Sequence, residues 1–218
     1  MRGKVIFLCV LVSTLSIEIC AQNNSLWSIG LEAGIDYCNS SEDTAPLEKE
    51  CPILPKIGVF VEYDLANNFY LQSGTTYSMK GLKSKGKTEN INASVELKQH
   101  LIQLPFLLTY KLPIYKTKGS IGFSTGAYAA YGIGGKTKAT GQVNGQKINI
   151  EVSTFDKLLK RHDFGSLLKL SYQQNKLSFS LSYEHGLADV GKSNVLGDPL
   201  DYKNRVSALS INYIFRSL

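Results

Sequence analysis

Three histidines, His100, His162 and His185, and two aspartates, Asp163 and Asp189, are the side chains that could carry acid–base chemistry. A histidine taking a proton from a serine, with a carboxylate orienting its ring, would make a hydrolase or an acyl transferase. No histidine pair at metal-ligand spacing accompanies them, and no Gly-x-Ser-x-Gly nucleophile elbow is expected. The histidines therefore read as solvated surface. No enzyme activity, catalytic residue, cofactor or metal site is expected.

Other reactive groups point to structure. Cys38 and Cys51 are the cysteines left once a leader is removed, and an exported chain with two cysteines is expected to join them. Closing a loop of about 14 residues would contribute roughly 3 kcal/mol, and two free thiols are the alternative. Ten basic residues, Lys80, Lys83, Lys85, Lys87, Lys136, Lys138, Lys147, Lys157, Lys160 and Arg161, cluster on the side of the long polar connections. They suit anionic lipid head groups or an acidic partner, with a solvated surface as the alternative.

The leader is residues 1–21, MRGKVIFLCVLVSTLSIEICA. Arg2 and Lys4 precede the apolar run Val5 to Val12, and Ala21 offers a small residue for cleavage. A lipoprotein reading through Cys20 is disfavoured by Glu18 and Ile19. Losing two bases and one acid takes the net charge from the +6 of the 218-residue chain to +5. No apolar run after residue 20 approaches the roughly 20 residues of a membrane helix, which excludes a helical membrane protein.

What remains is a series of period-two segments. In Lys98 to Leu112, Ile102, Leu104, Phe106, Leu108 and Tyr110 share one parity, with Gln103, Pro105, Thr109 and Lys111 on the other. Those five side chains span roughly 27–30 Å at about 3.4 Å per residue, enough for a tilted strand to cross a bilayer. Pro105 predicts a bulge or a missing ladder bond. Leu26 to Tyr37 (LWSIGLEAGIDY) alternates in the same way, as do Ile57 to Tyr63, Phe69 to Lys80, Ser120 to Gly134, Phe164 to Tyr172, Leu177 to Tyr183 and Leu209 to Phe215.

Long polar connections (Cys38 to Lys56, Gly81 to Ser94, Gly135 to Asp163, Val190 to Asp201) alternate with short ones (Asp64 to Asn68, Leu112 to Lys118, Gln173 to Lys176). The third long connection carries an Asn144-Gly145 hairpin signal. In it Phe155, Leu158 and Leu159 have helical spacing, which reads as a single loop turn. The rhythm predicts an all-β fold: an eight-stranded antiparallel up-and-down transmembrane β-barrel with long outer loops and short periplasmic turns. The apolar parity also gathers aromatics at both ends, Trp27, Tyr63, Phe69, Tyr110, Tyr172, Phe179 and Phe215 at one, and Tyr37, Tyr77, Tyr131, Phe164 and Tyr183 at the other, as two membrane interfaces require.

The opposite parity collects Glu32, Glu62, Lys169 and Glu184 as an expected lumen charge network, with Gln103 and Lys111 beside it. Lys169 is expected to bridge Glu32, Glu62 or Glu184, because a lone buried charge is costly; loosely solvated charges are the alternative. Eight strands leave an interior that side chains can fill, so a packed polar plug is expected rather than a pore.

The pieces HLIQLPFLLTYKL (100–112), GSIGFSTGAYAAYGIGG (119–135), DFGSLLKLSYQQNKLSFSLSYEHGLADV (163–190) and SALSINYIF (207–215) resemble the PorT-like outer-membrane β-barrel family of Gram-negative bacteria. The resemblance implies location and fold, not activity. Residues Arg216 to Leu218 follow the closing Phe215, a departure from a terminal-Phe assembly signal. The reading is a signal peptide at 1–21 and a barrel domain at 22–218, placed in the cell outer membrane. Its expected role is structural, adhesive or interaction-based through extracellular loops. A small-molecule channel or transport barrel is the alternative, and a soluble exported ligand-binding barrel a third class. Expected partners are outer-membrane lipid, lipopolysaccharide and the barrel-assembly machinery. Nucleic acid is not expected, and the chain is expected to be a monomer.

Overall fold

A computed structural model describes residues 26–40, 48–88, 91–115, 118–143, 146–192 and 202–217. The leader and the Asn144-Gly145 turn lie outside the described residues. Ten strands form: β1 (Trp27–Ser40), β2 (Glu48–Glu50), β3 (Ile53–Ala66), β4 (Phe69–Thr88), β5 (Ile91–Ile114), β6 (Gly119–Val143), β7 (Gln146–Ser153), β8 (His162–Gln174), β9 (Leu177–Gly186) and β10 (Asn204–Ser217). Eight of them close a ring in the order β1-β3-β4-β5-β6-β8-β9-β10, with every neighbour antiparallel and β10 paired back onto β1. The fold is an eight-stranded up-and-down barrel, and β2 and β7 pair outside the ring.

The alternation places its residues as lipid and lumen would demand. Leu104, Phe106 and Leu108 are 43, 56 and 44 % exposed on the outside, whereas Gln103, Leu107 and Thr109 between them are buried. Ile102 and Tyr110 share the outward parity at intermediate exposure. Leu168 and Ile211 also face outward. Ring pairs mark the short-turn rim, Trp27 with Tyr63 at 4.6 Å and Phe69 with Tyr110 at 4.9 Å. At the first turn Asn67 and Asn68 take φ of 53° and 68°, the left-handed conformations that a two-residue hairpin needs and asparagine tolerates. Pro105 lacks an N–H, and the β4–β5 ladder skips from Ser73–Phe106 to Thr76–Gln103 across it.

Two expected loops are strand instead. Residues 81–88 continue β4 and 91–94 belong to β5, and much of Gly135 to Asp163 continues β6 and forms β7. Beyond the membrane neither face meets lipid, so the outward face of the strand carries Lys83 and Lys85 in place of a greasy stripe, with Leu82 and Ser84 on the other face. β5 and β6 have 24 and 25 residues against 10 in β9. At about 3.3 Å per residue the long pair exceeds any bilayer by tens of ångströms. The excess is a sheet in the order β2-β4-β5-β6-β7, an arm standing on one side of the outer rim.

Close wall packing is read most directly at Gly126, where an added Cβ would sit 1.9 Å from the Phe106 carbonyl oxygen, a backbone atom. Gly126→Val is expected to reduce the heat-modifiable folded band on a gel and to destabilise the barrel by about 1–3 kcal/mol, the usual cost of overpacking. An unchanged band would place β5 and β6 further apart than described.

Candidate functional site: a sealed lumen and an outer arm

Inward parity stacks the polar side chains in layers. Nearest the short turns, Glu62 is paired with Lys111, whose Nζ also donates to Gln173 Oε1 at 3.1 Å and lies 4.3 Å over the Tyr70 ring. Next, Glu32 is held by two ammonium groups, Lys56 at 2.7 Å and Lys169 at 3.0 Å, and Ser210 donates to it at 3.2 Å. Above it the fully buried Lys80 meets Glu184 at 2.6 Å, while Gln103 Nε2 donates to the other Glu184 oxygen at 2.9 Å. Asp36 and Asp163 are held by neutral donors: Ser78 donates to Asp36 at 2.6 Å, and Asn204 and Tyr128 donate to Asp163 at 2.9 and 3.3 Å.

Over these layers sits an apolar stopper. Leu82, Leu97, Leu101, Tyr128, Phe155, Leu158, Leu159, Val190 and Tyr202 are all buried in one cluster. Phe155 and Leu158 belong to a single π-helical turn, Thr154–Leu158, that folds back into the mouth. The turn is clasped by the β9–β10 connection: Leu159 bridges Gly191, Lys160 N donates to Val190 O at 2.7 Å, and Lys192 N donates to Leu158 O at 2.8 Å. Asp189 Oδ1 accepts from the backbone N–H groups of Tyr202 and Gly191 at 3.1 and 3.0 Å, and these bonds, Tyr202 foremost, hold its carboxyl below the ordinary range. The clasp thus keeps its charge through neutral and mildly acidic pH. Two voids inside the wall measure about 30 and about 20 Å³. Each has room for a water or two and none for a solute.

Of the four expected network residues, the fold brings Lys169 to Glu32 and gives Glu62 and Glu184 to other partners, Lys111 and Lys80. Lys56, Lys80, Asp36 and Asp163 were not read from the sequence as members of the lumen network. Extending the parity of Gly58 and Glu62 back to Lys56, and that of Gln72 and Thr76 forward to Lys80, would have found both cations. Lys80 is consequently no head-group ligand, correcting its place among the surface lysines. Phe155, Leu158 and Leu159 are likewise more than a loop turn, because they plug the barrel.

The Cys38–Cys51 bridge is absent, and both thiols are free. Cys38 is buried in the lumen beside Leu54 and Val206, whereas Cys51 lies against the side chain of Tyr37, which faces outward. The wall stands between the two sulfurs, so a bond would require one strand to turn over. A maleimide is expected to label Cys51 in the folded protein and Cys38 only after unfolding. Simultaneous protection of both thiols until a reductant is added would restore the bridge.

The histidines face outward beside tyrosines, Tyr77 with His100 at 2.6 Å between OH and Nδ1, and Tyr131 with His162 and Tyr183 with His185 as ring pairs at 5.1 and 6.4 Å. Asp163 is buried on the other side of the wall from His162. Contrary to expectation, the Gly-x-Ser-x-Gly spacing does occur, at Gly122-Phe123-Ser124-Thr125-Gly126. It runs along the middle of β6, where Ser124 Oγ accepts from Thr109 at 2.8 Å, with none of the strand-to-helix turn that exposes a nucleophile.

On the arm, register sets Glu50, Lys83, Glu96, Lys138 and Glu151 in one row across five strands. Glu50 bridges Lys85 and Lys83 at 2.6 and 2.9 Å, Glu96 meets Lys98 at 2.7 Å, and Glu151 reaches Lys136 and Lys138 at 2.7 and 3.6 Å. Hydrogen bonds from Lys85, Lys98 and Lys136 hold these three carboxyls below their ordinary range. The opposite face is apolar, running from Leu82 and Leu97 to Ile148 and Ile150, which are 53 and 46 % exposed.

A closed wall, greasy outside and charge-paired inside, with aromatic rims, defines a protein that crosses a bilayer as a β-barrel. Residues 20–191 match the outer membrane protein beta-barrel domain family, and the chain belongs to it. It is an outer-membrane protein. No curated protein matches the chain. Among solved structures it is similar to the attachment invasion locus protein Ail of Yersinia pestis (15 % identity, 88 % of this chain and 99 % of that one, TM-score 0.41) and to the outer membrane protein OprG of Pseudomonas aeruginosa (11 %, 90 and 100 %, TM-score 0.47). Neisserial surface protein A is similar too (11 %, 88 and 99 %, TM-score 0.42).

The central ion pair makes a sharp test. Lys80→Met strands Glu184 in the lumen and is expected to cost about 3–5 kcal/mol in urea unfolding of the detergent-folded barrel, whereas K80M/E184M together recover most of that loss. A neutral single variant would mean that water reaches the pair.

Proposed function

We propose that this chain is an outer-membrane β-barrel protein whose role is structural, adhesive or interaction-based, carried by the outer arm rather than by transport through the lumen. The seal supports this reading: ion pairs fill the middle, and Leu101, Phe155, Leu158, Leu159 and Tyr202 close the mouth. A channel needs a continuous wet path, and voids of about 30 and 20 Å³ do not make one. A ligand in the lumen meets the same obstacle.

Within this reading residues 1–21 are a removable leader and 22–218 the mature barrel, of the PorT-like branch. The three Tyr–His pairs serve the outer interface rather than catalysis, so the chain is no enzyme. It works as a monomer among outer-membrane lipid and lipopolysaccharide after delivery by the barrel-assembly machinery. The arm lies outside the cell, because the short turns belong to the periplasmic rim.

Two measurements decide it. Purified protein in planar bilayers is expected to give no conductance steps, and reproducible steps that disappear on heating would establish a channel. A Lys85→Cys variant lacking Cys51 is expected to react with a membrane-impermeant maleimide on intact cells. Protection there would place the arm inside.

A further inference from the structure

We propose that the outward face where the arm leaves the membrane, around Gly134, seats the phosphate of an outer-leaflet glycolipid. Rows of side chains change character toward the bilayer. The uppermost is the Glu50–Lys83–Glu96–Lys138–Glu151 row, in which signs alternate. One step down, Lys98 stands directly opposite Lys136. A further step down, His100 stands opposite Gly134, and then come Tyr77, Ile102, Tyr131 and His162 of the aromatic rim.

Two features mark this patch. Like charges directly across a ladder repel, yet Lys98 and Lys136 are kept there, each drawn aside to a different carboxylate, Glu96 and Glu151. In these rows Lys83, Lys98, Lys136 and Lys138 exceed Glu50, Glu96 and Glu151 by one charge. The second feature is Gly134. Most wall glycines admit no Cβ because a neighbouring strand or ring is in the way, but a Cβ on Gly134 would meet nothing within 4 Å. The space is open and belongs to no side chain of the protein.

An anion fits both features. A phosphate above Gly134 would lie beside the backbone positions of Lys98 and Lys136, one step from each along its strand, with His100 directly across the ladder; His100 Nδ1 is taken by Tyr77, which leaves Nε2 to donate. Below, Ile133, 51 % exposed, and Tyr131, two residues apart on β6, face outward together, an apolar shelf for the acyl chains of the same molecule. Phosphate above and hydrocarbon below are the two ends of a phosphorylated lipid. This rests on the arm lying outside the cell, which the surface-labelling measurement tests by itself, and it is indifferent to whether the lumen conducts.

The test uses the full mature barrel folded in detergent, with bis-phosphorylated lipid A as probe and native mass spectrometry as readout. Wild type is expected to retain lipid A and to release the dephosphorylated form. K98Q/K136Q is expected to weaken retention about thirtyfold, as the loss of two surface charges predicts. G134A puts a Cβ into the open space with no protein atom within 4 Å, so it is expected to keep its heat-modifiable band yet weaken lipid binding, and K85Q, outside the patch, is expected to bind as wild type. Equal retention of dephosphorylated lipid A, or undiminished binding by both patch variants, overturns the proposal. Displacement of lipid A by an equal concentration of inorganic phosphate overturns the lipid assignment in favour of a soluble anion.

Discussion

Inside hydrocarbon no water is available to a peptide group, so each N–H and C=O in the wall needs a partner from the protein itself. The pairing of β10 onto β1 supplies the last of them: Leu31 meets Tyr213, Ala33 meets Ile211 and Ile35 meets Leu209, leaving the ring without an edge. Everything else follows from that closure. Antiparallel neighbours with alternating side chains divide the residues between lipid and lumen, and the number of strands sets how much lumen there is.

Eight strands enclose too little room for solvent and too much for nothing. This chain fills the space in two ways with different physical logic. Midway, Glu32 with Lys56 and Lys169, and Glu184 with Lys80, pair at hydrogen-bond distance, which ties β1, β3 and β8, and β4 and β9, together across the interior. Such pairs contribute specificity as much as stability, since their mutual attraction mostly offsets desolvation. At the mouth, where loops rather than strands must be organised, the filling is apolar. Phe155 and Leu159 on one connection and Val190 and Tyr202 on another bury together and are stitched by backbone hydrogen bonds.

The arm obeys different rules because it has left the lipid. Its strands keep period two but replace the greasy face with a charge-paired one, which keeps an exposed sheet soluble. The other face remains apolar where it descends into the stopper, linking the arm to the plug through Leu82, Leu97 and Val152. Arm and stopper form one unit from the arm's tip to the lumen.

The sequence alone determined what depends on alternation and punctuation: the eight wall strands, the outward set Ile102 to Tyr110, the long and short rims, the two aromatic belts, and Glu32 and Lys169 on the inward parity. Lipid imposes a one-sided pattern on every spanning residue, so that pattern is written locally. Only the tertiary structure decided matters between segments distant in the chain. It assigned Glu184 to Lys80 and Glu62 to Lys111, put Cys38 and Cys51 on opposite sides of the wall, turned polar loops into an arm, and drew Phe155 into the mouth. Strand stagger around the barrel fixes which inward side chains share a layer, and strands beyond the lipid carry charges where the wall carries greasy residues, so neither outcome is marked by an outward apolar stripe.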